Sequence, residues 1–224
     1  NYENFDKYNE DYRVNIKSIT NNGGKYHQSI ITNAIDGKLE THWETGRENK
    51  EDFKNEVEFE FENVEKINRL AYATRQDSAK PKGYPKVAQI LVADSNEAEY
   101  TLVGEFTSDK VTGDMVEFKF DTVEAKKVKF IFSDAHNGWA SASEFWFYKE
   151  DKTLDKIETL FTDNNMNEVN PELDNLEALK ALEKEAKNHL FYENFKEDID
   201  NAITILEGEK LESGRAKVSK LTAY

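Results

Sequence analysis

Up to about residue 150 the apolar residues of this chain recur at every second position, and beyond it they recur at every third or fourth. A period of two is the pattern of strands with one buried face, and a period near 3.6 is that of helices. In Asn55 to Glu62, Val57, Phe59 and Phe61 alternate with carboxylates, so one face is wet and the other faces a core. The same alternation runs through Val14–Ile19, Leu70–Thr74, Val87–Ala93, Thr101–Phe106, Met115–Phe120, Val128–Phe132 and Phe145–Tyr148. Turn formers separate these eight predicted strands, among them Asn22-Gly23-Gly24, Asp36-Gly37 and Thr112-Gly113-Asp114. Many short strands with no helix between them predict an antiparallel β-sandwich or jelly roll. The fold class is therefore mainly β, with a small helical bundle after the sandwich.

Leu154, Ile157, Leu160 and Phe161 predict the first helix, and Pro171 stands where the first turn of a second would begin. That second helix carries Leu173, Leu176, Leu179 and Leu182; a third carries Phe195, Ile199, Ile203 and Leu206 and stops at Gly208. The expected organisation is a sandwich over residues 1–150, a helical connector over 151–210, and a tail over 211–224 that shows no period and is left unassigned.

Composition narrows the function. With no cysteine in 224 residues, neither a disulfide framework nor a thiolate zinc site holds this fold, and cysteine nucleophiles are excluded. A net charge of −15 argues against nucleic acid, whose phosphates need clustered Lys and Arg. No apolar run reaches the roughly 20 residues of a membrane span, and Asn1 opens no signal peptide, so the chain reads as a piece of a larger one; its acidic, Lys-, Asn- and Tyr-rich composition without cysteine fits exported proteins of AT-rich Gram-positive bacteria. The four histidines form no His-Glu-x-x-His pattern, and there is no Gly-x-Ser-x-Gly motif or phosphate-cradling glycine loop, so no catalytic residue is expected.

The stretch Asn33 to Glu44 carries the most chemistry. Asp36 supplies a carboxylate, Gly37 permits a tight turn, and Thr41 adds a hydroxyl next to its own carbonyl. A loop turning carbonyls inward around a carboxylate suits calcium, although the spacing is not that of an EF-hand. Asp-Gly alone is equally the mark of a plain turn. Ala34-Ile35-Asp36-Gly37, Thr41 and Trp43, taken with Ala140-Ser141-Ala142-Ser143-Glu144-Phe145, resemble the discoidin domain, also called the coagulation factor five/eight C-type domain. Its bacterial sugar-binding branch is carbohydrate-binding module family 32. The resemblance spans roughly residues 12–150 and implies a structural Ca2+ held by the carbonyls of Asn33, Lys38 and Ser143, the side chains of Asp36 and Glu144, and both oxygens of Thr41. Trp43 stands at the family's usual aromatic position; core packing is expected for it ahead of sugar contact, and for Trp146 and Phe147 in the final strand as well.

In that family the ligand rests on loops at one end of the sandwich. A pyranose has an apolar face and a hydroxyl rim, so its receptor needs an aromatic platform and polar side chains. Three loops supply candidates: Glu44 and Arg47; Arg75, Gln76 and Asp77; and Asp134 to Trp139. Trp139 is expected either as the stacking platform or as a plug for the sandwich end, with Arg75 and Asn137 bonding hydroxyls and Glu44 accepting. A ligand histidine frequent in the family has no clean counterpart, because Glu44 stands near its place and His42 precedes Trp43. The expected partners are host glycans ending in galactose or an N-acetylhexosamine, bound by a monomeric module of a multidomain secreted or cell-surface chain. The region after Asn137 further resembles accessory parts of large clostridial enzymes that degrade mucin or other glycans, such as metallopeptidases and glycoside hydrolases. Two other expectations stand beside this one: an adhesin-type discoidin domain that grips a host protein or lipid, and a helical segment that docks a partner through Leu176, Leu179 and Phe195.

Overall fold

A computed structural model describes residues 10–173, 175–189 and 192–221. These fall into two compact units, the first covering Glu10–Glu150 and the second starting at Asp151. In the first unit eight strands form: β1 (Ile16–Asn21), β2 (Trp43–Glu44), β3 (Asn55–Ala73), β4 (Pro85–Ala93), β5 (Thr101–Thr107), β6 (Val116–Ala135), β7 (Ser141–Ala142) and β8 (Glu144–Lys149). All their pairings are antiparallel.

Two pairs of predicted strands are in fact single long ones. Residues 55–62 and 70–73 belong to the 19-residue β3, and residues 116–120 and 128–132 to the 20-residue β6, with Thr74 and Met115 just outside. Nothing between them makes a turn. The register between β3 and β6 slips from Glu60 to Glu65 and again from Ile67 to Arg69, so the strands bend through bulges and continue. Each thereby serves both layers of a sandwich. The first half of β3 lies between β1 and the second half of β6, which continues to β4 and β5; the second half of β3 lies between β8 and the first half of β6.

Aromatic rings fill the space between the layers. Phe59 meets Phe145 at 5.1 Å and Phe147 at 4.8 Å between centroids, and Phe130 meets Phe145 at 5.2 Å. Tyr72 stacks parallel to Phe130 at 6.2 Å and donates its buried hydroxyl to the Ser141 carbonyl. Trp43 and Phe147 are fully buried in this core, as expected; Trp146, also expected there, alternates with Phe145 and Phe147 along β8, is only half-buried and lies under the Arg13 guanidinium at 4.1 Å.

In the second unit, α1 (Lys152–Glu158) is capped by Asp151, whose carboxylate accepts from the Leu154 amide. The second helix does not start at Pro171. Pro171–Leu173 form a separate 3-10 turn, and α2 (Leu176–Ala186) begins where Asn175 can cap it by accepting from the Ala178 amide. The third helix, α3 (Tyr192–Leu221), does not stop at Gly208 but runs through residues 211–221. One helical glycine costs only about 1 kcal/mol, and the well-formed residues on both sides of Gly208 carry the helix across it. Residues 222–224 of the unassigned tail lie outside the described part. Leu179, Leu182, Phe195, Ile199 and Leu206 are buried, so of the three residues named for docking a partner only Leu176 lacks such burial.

Replacing Phe59 by Ala should cost about 3–5 kcal/mol, because it empties the centre of the ring cluster. Leu102→Ala, at a site 52% exposed on β5, should stay within about 0.5 kcal/mol. Urea denaturation followed by tryptophan fluorescence measures both.

Candidate functional site

The short pair β2 and β7 sets the geometry at one end of the sandwich. Trp43 and Glu44 alternate, so Trp43 turns inward toward Phe132, 5.9 Å away, and Glu44 turns to the other side. Glu44 is flanked by β7, which pairs it with Ser141, and by a tight turn at Tyr26–Ser29, where the Tyr26 amide donates to the Glu44 carbonyl and the Glu44 amide donates to that of Ser29.

A carboxylate only 2% exposed needs cationic partners, and Glu44 has two. Arg75 Nη1 donates to Oε2 at 2.8 Å, and Lys82 Nζ pairs with Oε1 at 2.8 Å. Arg75 leaves the end of β3 and is itself gripped by Asp77, with Nε to Oδ1 at 2.8 Å and Nη2 to Oδ2 at 2.6 Å. This two-pronged grip and Glu44 raise the Arg75 pKa against the opposing effect of burial, and Arg75 in turn holds Asp77 below the usual carboxylate range. His42 lies within electrostatic reach of Arg75, Asp77 and Glu44; burial, then repulsion from Arg75, lowers its pKa and favours the neutral imidazole.

Lys82 closes the group. Its ammonium stands 4.8 Å from the Trp139 ring centroid and 5.4 Å from that of Tyr26. The backbone beneath it is fixed by contact: Ser141 Oγ donates to the Lys82 carbonyl, and the Ser141 amide donates to that of Gly83. Gly83 has φ of +86°, and a Cβ there would come within 2.6 Å of the Ser141 nitrogen. Only glycine lets this loop lie against β7.

Glu44, Arg75, Asp77 and Trp139, named from the sequence, are thus brought to one place. Arg47 is placed differently: it is exposed, with its guanidinium 3.7 Å above the Phe53 ring. Asn137 is exposed in the left-handed region at φ 61°, two residues before the half-buried Trp139. Gln76 turns its amide to the Thr74 and Gly113 carbonyls. Sequence reasoning missed Lys82 and Tyr26. The one local signal for Lys82 is its place in Pro81-Lys82-Gly83, a turn following Arg75; Tyr26 follows Gly23-Gly24 with no signal of its own.

The second cluster joins the Asp36 loop to the start of β8. After a 3-10 turn at Ile31–Ile35, Asp36 accepts from the Lys38 amide at 2.9 Å and the Thr41 hydroxyl at 2.5 Å. Gly37, at φ 77°, donates its amide to Glu144 Oε1 at 2.7 Å, while the Trp146 indole donates to Oε2 at 2.8 Å. Ser143 Oγ reaches the Leu39 carbonyl, and the Asn33 amide bonds the His42 carbonyl. Asp36 and Glu144 are within hydrogen-bonding reach of each other. Burial and the neighbouring Asp36 raise the Glu144 pKa to about 7, whereas for Asp36 the Thr41 and Lys38 bonds outweigh burial and lower it. Among the described residues no three or more His, Cys, Asp or Glu side chains gather as a metal group; two carboxylates here are accompanied by hydroxyl and carbonyl oxygens.

Residues 15–145 match the model of the F5/8 type C domain. The chain is 46% identical to the structure of the CBM32-1 and CBM32-2 domains of Clostridium perfringens ZmpB, with a TM-score of 0.83 over 92% of this chain and 54% of that one. A structure of the same domains in complex with GalNAc is 47% identical, with a TM-score of 0.80 over 90% of this chain and 52% of that one. A longer ZmpB structure that adds the M60 catalytic domain is 46% identical, with a TM-score of 0.83, and matches 92% of this chain and 22% of that one. The chain therefore spans about half of the two-domain structures and about a fifth of the longer one. No curated protein matches.

Arg75→Met should destabilise the first unit by about 3 kcal/mol or more, because it strips one partner from a buried carboxylate. Asp77→Asn, whose side chain is 44% exposed, should cost no more than about 1 kcal/mol. Thermal melts of the two variants give the comparison.

Proposed function

This chain belongs to the F5/8 type C, or discoidin, family, and on that premise we propose that its β-sandwich is a calcium-braced carbohydrate-binding module serving a larger secreted hydrolase. The observation that carries the reading is the group at the β2–β7 end. Trp139 offers a ring face with the Lys82 ammonium over it, and Lys82 is joined through Glu44 to Arg75 and Asp77, with His42 in electrostatic reach, so that the charges are mutually balanced. An apolar platform beside fixed polar groups is what the two faces of a pyranose require. Glu44, buried and ion-paired with both cations, acts by orienting Arg75 and Lys82.

The ligands of this proposal are glycans ending in galactose or an N-acetylhexosamine, GalNAc being the sugar in the complex of the 47% identical relative. The parent is a mucin-degrading metallopeptidase or a glycoside hydrolase acting outside a bacterial cell, and the module keeps it near its substrate. A monosaccharide of about a dozen non-hydrogen atoms, at roughly 0.3–0.4 kcal/mol each, gains about 4–5 kcal/mol. That is a millimolar to sub-millimolar affinity, useful when several modules engage one glycan-covered surface.

The Asp36 loop fits calcium by its chemistry. Glu144, 1% exposed, accepts only from the neutral Gly37 amide and Trp146 indole while lying against a second carboxylate. A hard dication held by Asp36, Glu144, Thr41 and the carbonyls of Asn33, Lys38 and Ser143 would neutralise that pair. It would supply a clamp between segments more than a hundred positions apart, and no reaction.

Two measurements test these statements. On a glycan array, wild type should bind glycans ending in galactose or an N-acetylhexosamine and Trp139→Ala should lose at least tenfold; equal binding by both removes the platform. In differential scanning calorimetry, calcium at 100 times its dissociation constant should stabilise the wild type by about 2.7 kcal/mol. Glu144→Gln combined with Asp36→Asn should erase the difference between calcium and chelator, and a wild-type melt indifferent to calcium would remove the brace.

A further inference from the structure

We infer that Lys82, set between Tyr26 and Trp139, selects a hexose carrying an acetamido group over the unsubstituted sugar. The inference rests on the sugar-binding reading above and adds to it a residue and a chemical group.

Lys82 is the cation here whose head group meets both the solvent and the platform. Its side chain is 32% exposed, whereas that of Arg75 is 8% exposed and has its Nε, Nη1 and Nη2 engaged by Asp77 and Glu44. An ammonium has three donors, and its 2.8 Å contact with Glu44 Oε1 is an ion pair rather than an aligned hydrogen bond. The head group is therefore anchored yet still able to donate. It is also not free to swing, since its backbone is clamped by Ser141 and Gly83 and its charge is tied to a buried carboxylate.

The surroundings define what those donors would meet. Arg75 and Lys82 balance Glu44 and Asp77, and the whole chain carries −15, so an anionic substituent gains little and is repelled at long range. A neutral acceptor is favoured instead. The ammonium lies 4.8 Å from one ring centroid and 5.4 Å from the other, which puts the two rings no more than about 10 Å apart. Tyr26 is 47% exposed although it is a large aromatic side chain, and its turn is fixed to β2 by two backbone hydrogen bonds. A donor flanked by two ring faces matches a group with a carbonyl acceptor on one side and a methyl on the other. An acetamido group has both. The hydroxyl at the same position of a plain hexose supplies an acceptor but no apolar end.

The hydroxyl keeps part of the hydrogen bond to the ammonium, so the preference is what remains, the carbonyl's advantage as an acceptor and the burial of one methyl, which together correspond to about tenfold. The test is an NMR titration of the full chain with N-acetylgalactosamine and with galactose, read as the ratio of the two dissociation constants. Wild type should prefer N-acetylgalactosamine about tenfold. In Lys82→Met the ratio should fall to near one, and Lys82→Arg should restore part of it. Because Lys82→Met unpairs Glu44 and can fail to fold, Tyr26→Ala provides a second arm, at an exposed position, and should also lower the ratio. A wild-type ratio near one, or a ratio unchanged in both Lys82→Met and Tyr26→Ala, would overturn the inference while leaving the sugar-binding reading intact. Absence of binding to either sugar by the wild type would sink that reading and the inference together.

Discussion

A carboxylate cannot be taken out of water alone, and the end of this sandwich is organised around that constraint at Glu44. Its neighbour Trp43 is committed to the core, so the period of two along β2 drives Glu44 to the other side, into a position 2% exposed. From there the pairing requirement draws in Arg75 from the end of β3 and Lys82 from the loop before β4. Arg75 brings Asp77, and Lys82 brings the Tyr26 and Trp139 rings. A single buried charge thus gathers groups from four separate chain segments into one surface. The energetic return from such a buried pair is small, because desolvation offsets attraction; what it supplies is fixed direction for the donors.

The Asp36–Glu144 contact solves the opposite problem. Here two acids face each other, and the bonds they accept come from backbone amides, a hydroxyl and an indole. In the absence of a cation one of them, Glu144, holds its proton up to about pH 7. The two clusters lie close along the chain, since Glu44 follows Asp36 by eight positions and Glu144 follows Trp139 by five. A shift in the Asp36 loop would travel along His42, Trp43 and Glu44, which ties the two clusters together through covalent continuity.

The strand faces were legible because alternation such as Val57, Phe59, Phe61 is local and admits one physical reading. The bends in β3 and β6 were not, since bulges at Glu60–Glu65 and Ile67–Arg69 involve ordinary residues, and polar stretches there look the same as turns. Helix α3 was read short for a related reason: Gly208 is a stop signal in isolation, and its small cost is outweighed by the flanking helix. At the site, Arg75 and Trp139 could be found because they stand at element ends next to turn residues. Lys82 could not, as its meaning comes from a partner 38 positions earlier in the chain. Arg47 was drawn in by proximity to Glu44 in sequence, but the chain turns away after Gly46 and Arg47 lies on Phe53.

Because β3 and β6 each run through both layers, neither layer is a separate piece of chain. Peeling one sheet from the other would have to break the same two strands in the middle, so the sandwich lacks a cheap partially open state. Under a pulling load, strain is shared by both layers of the sandwich until it fails as a unit. Fold topology, rather than the strength of any one bond, sets the mechanical limit.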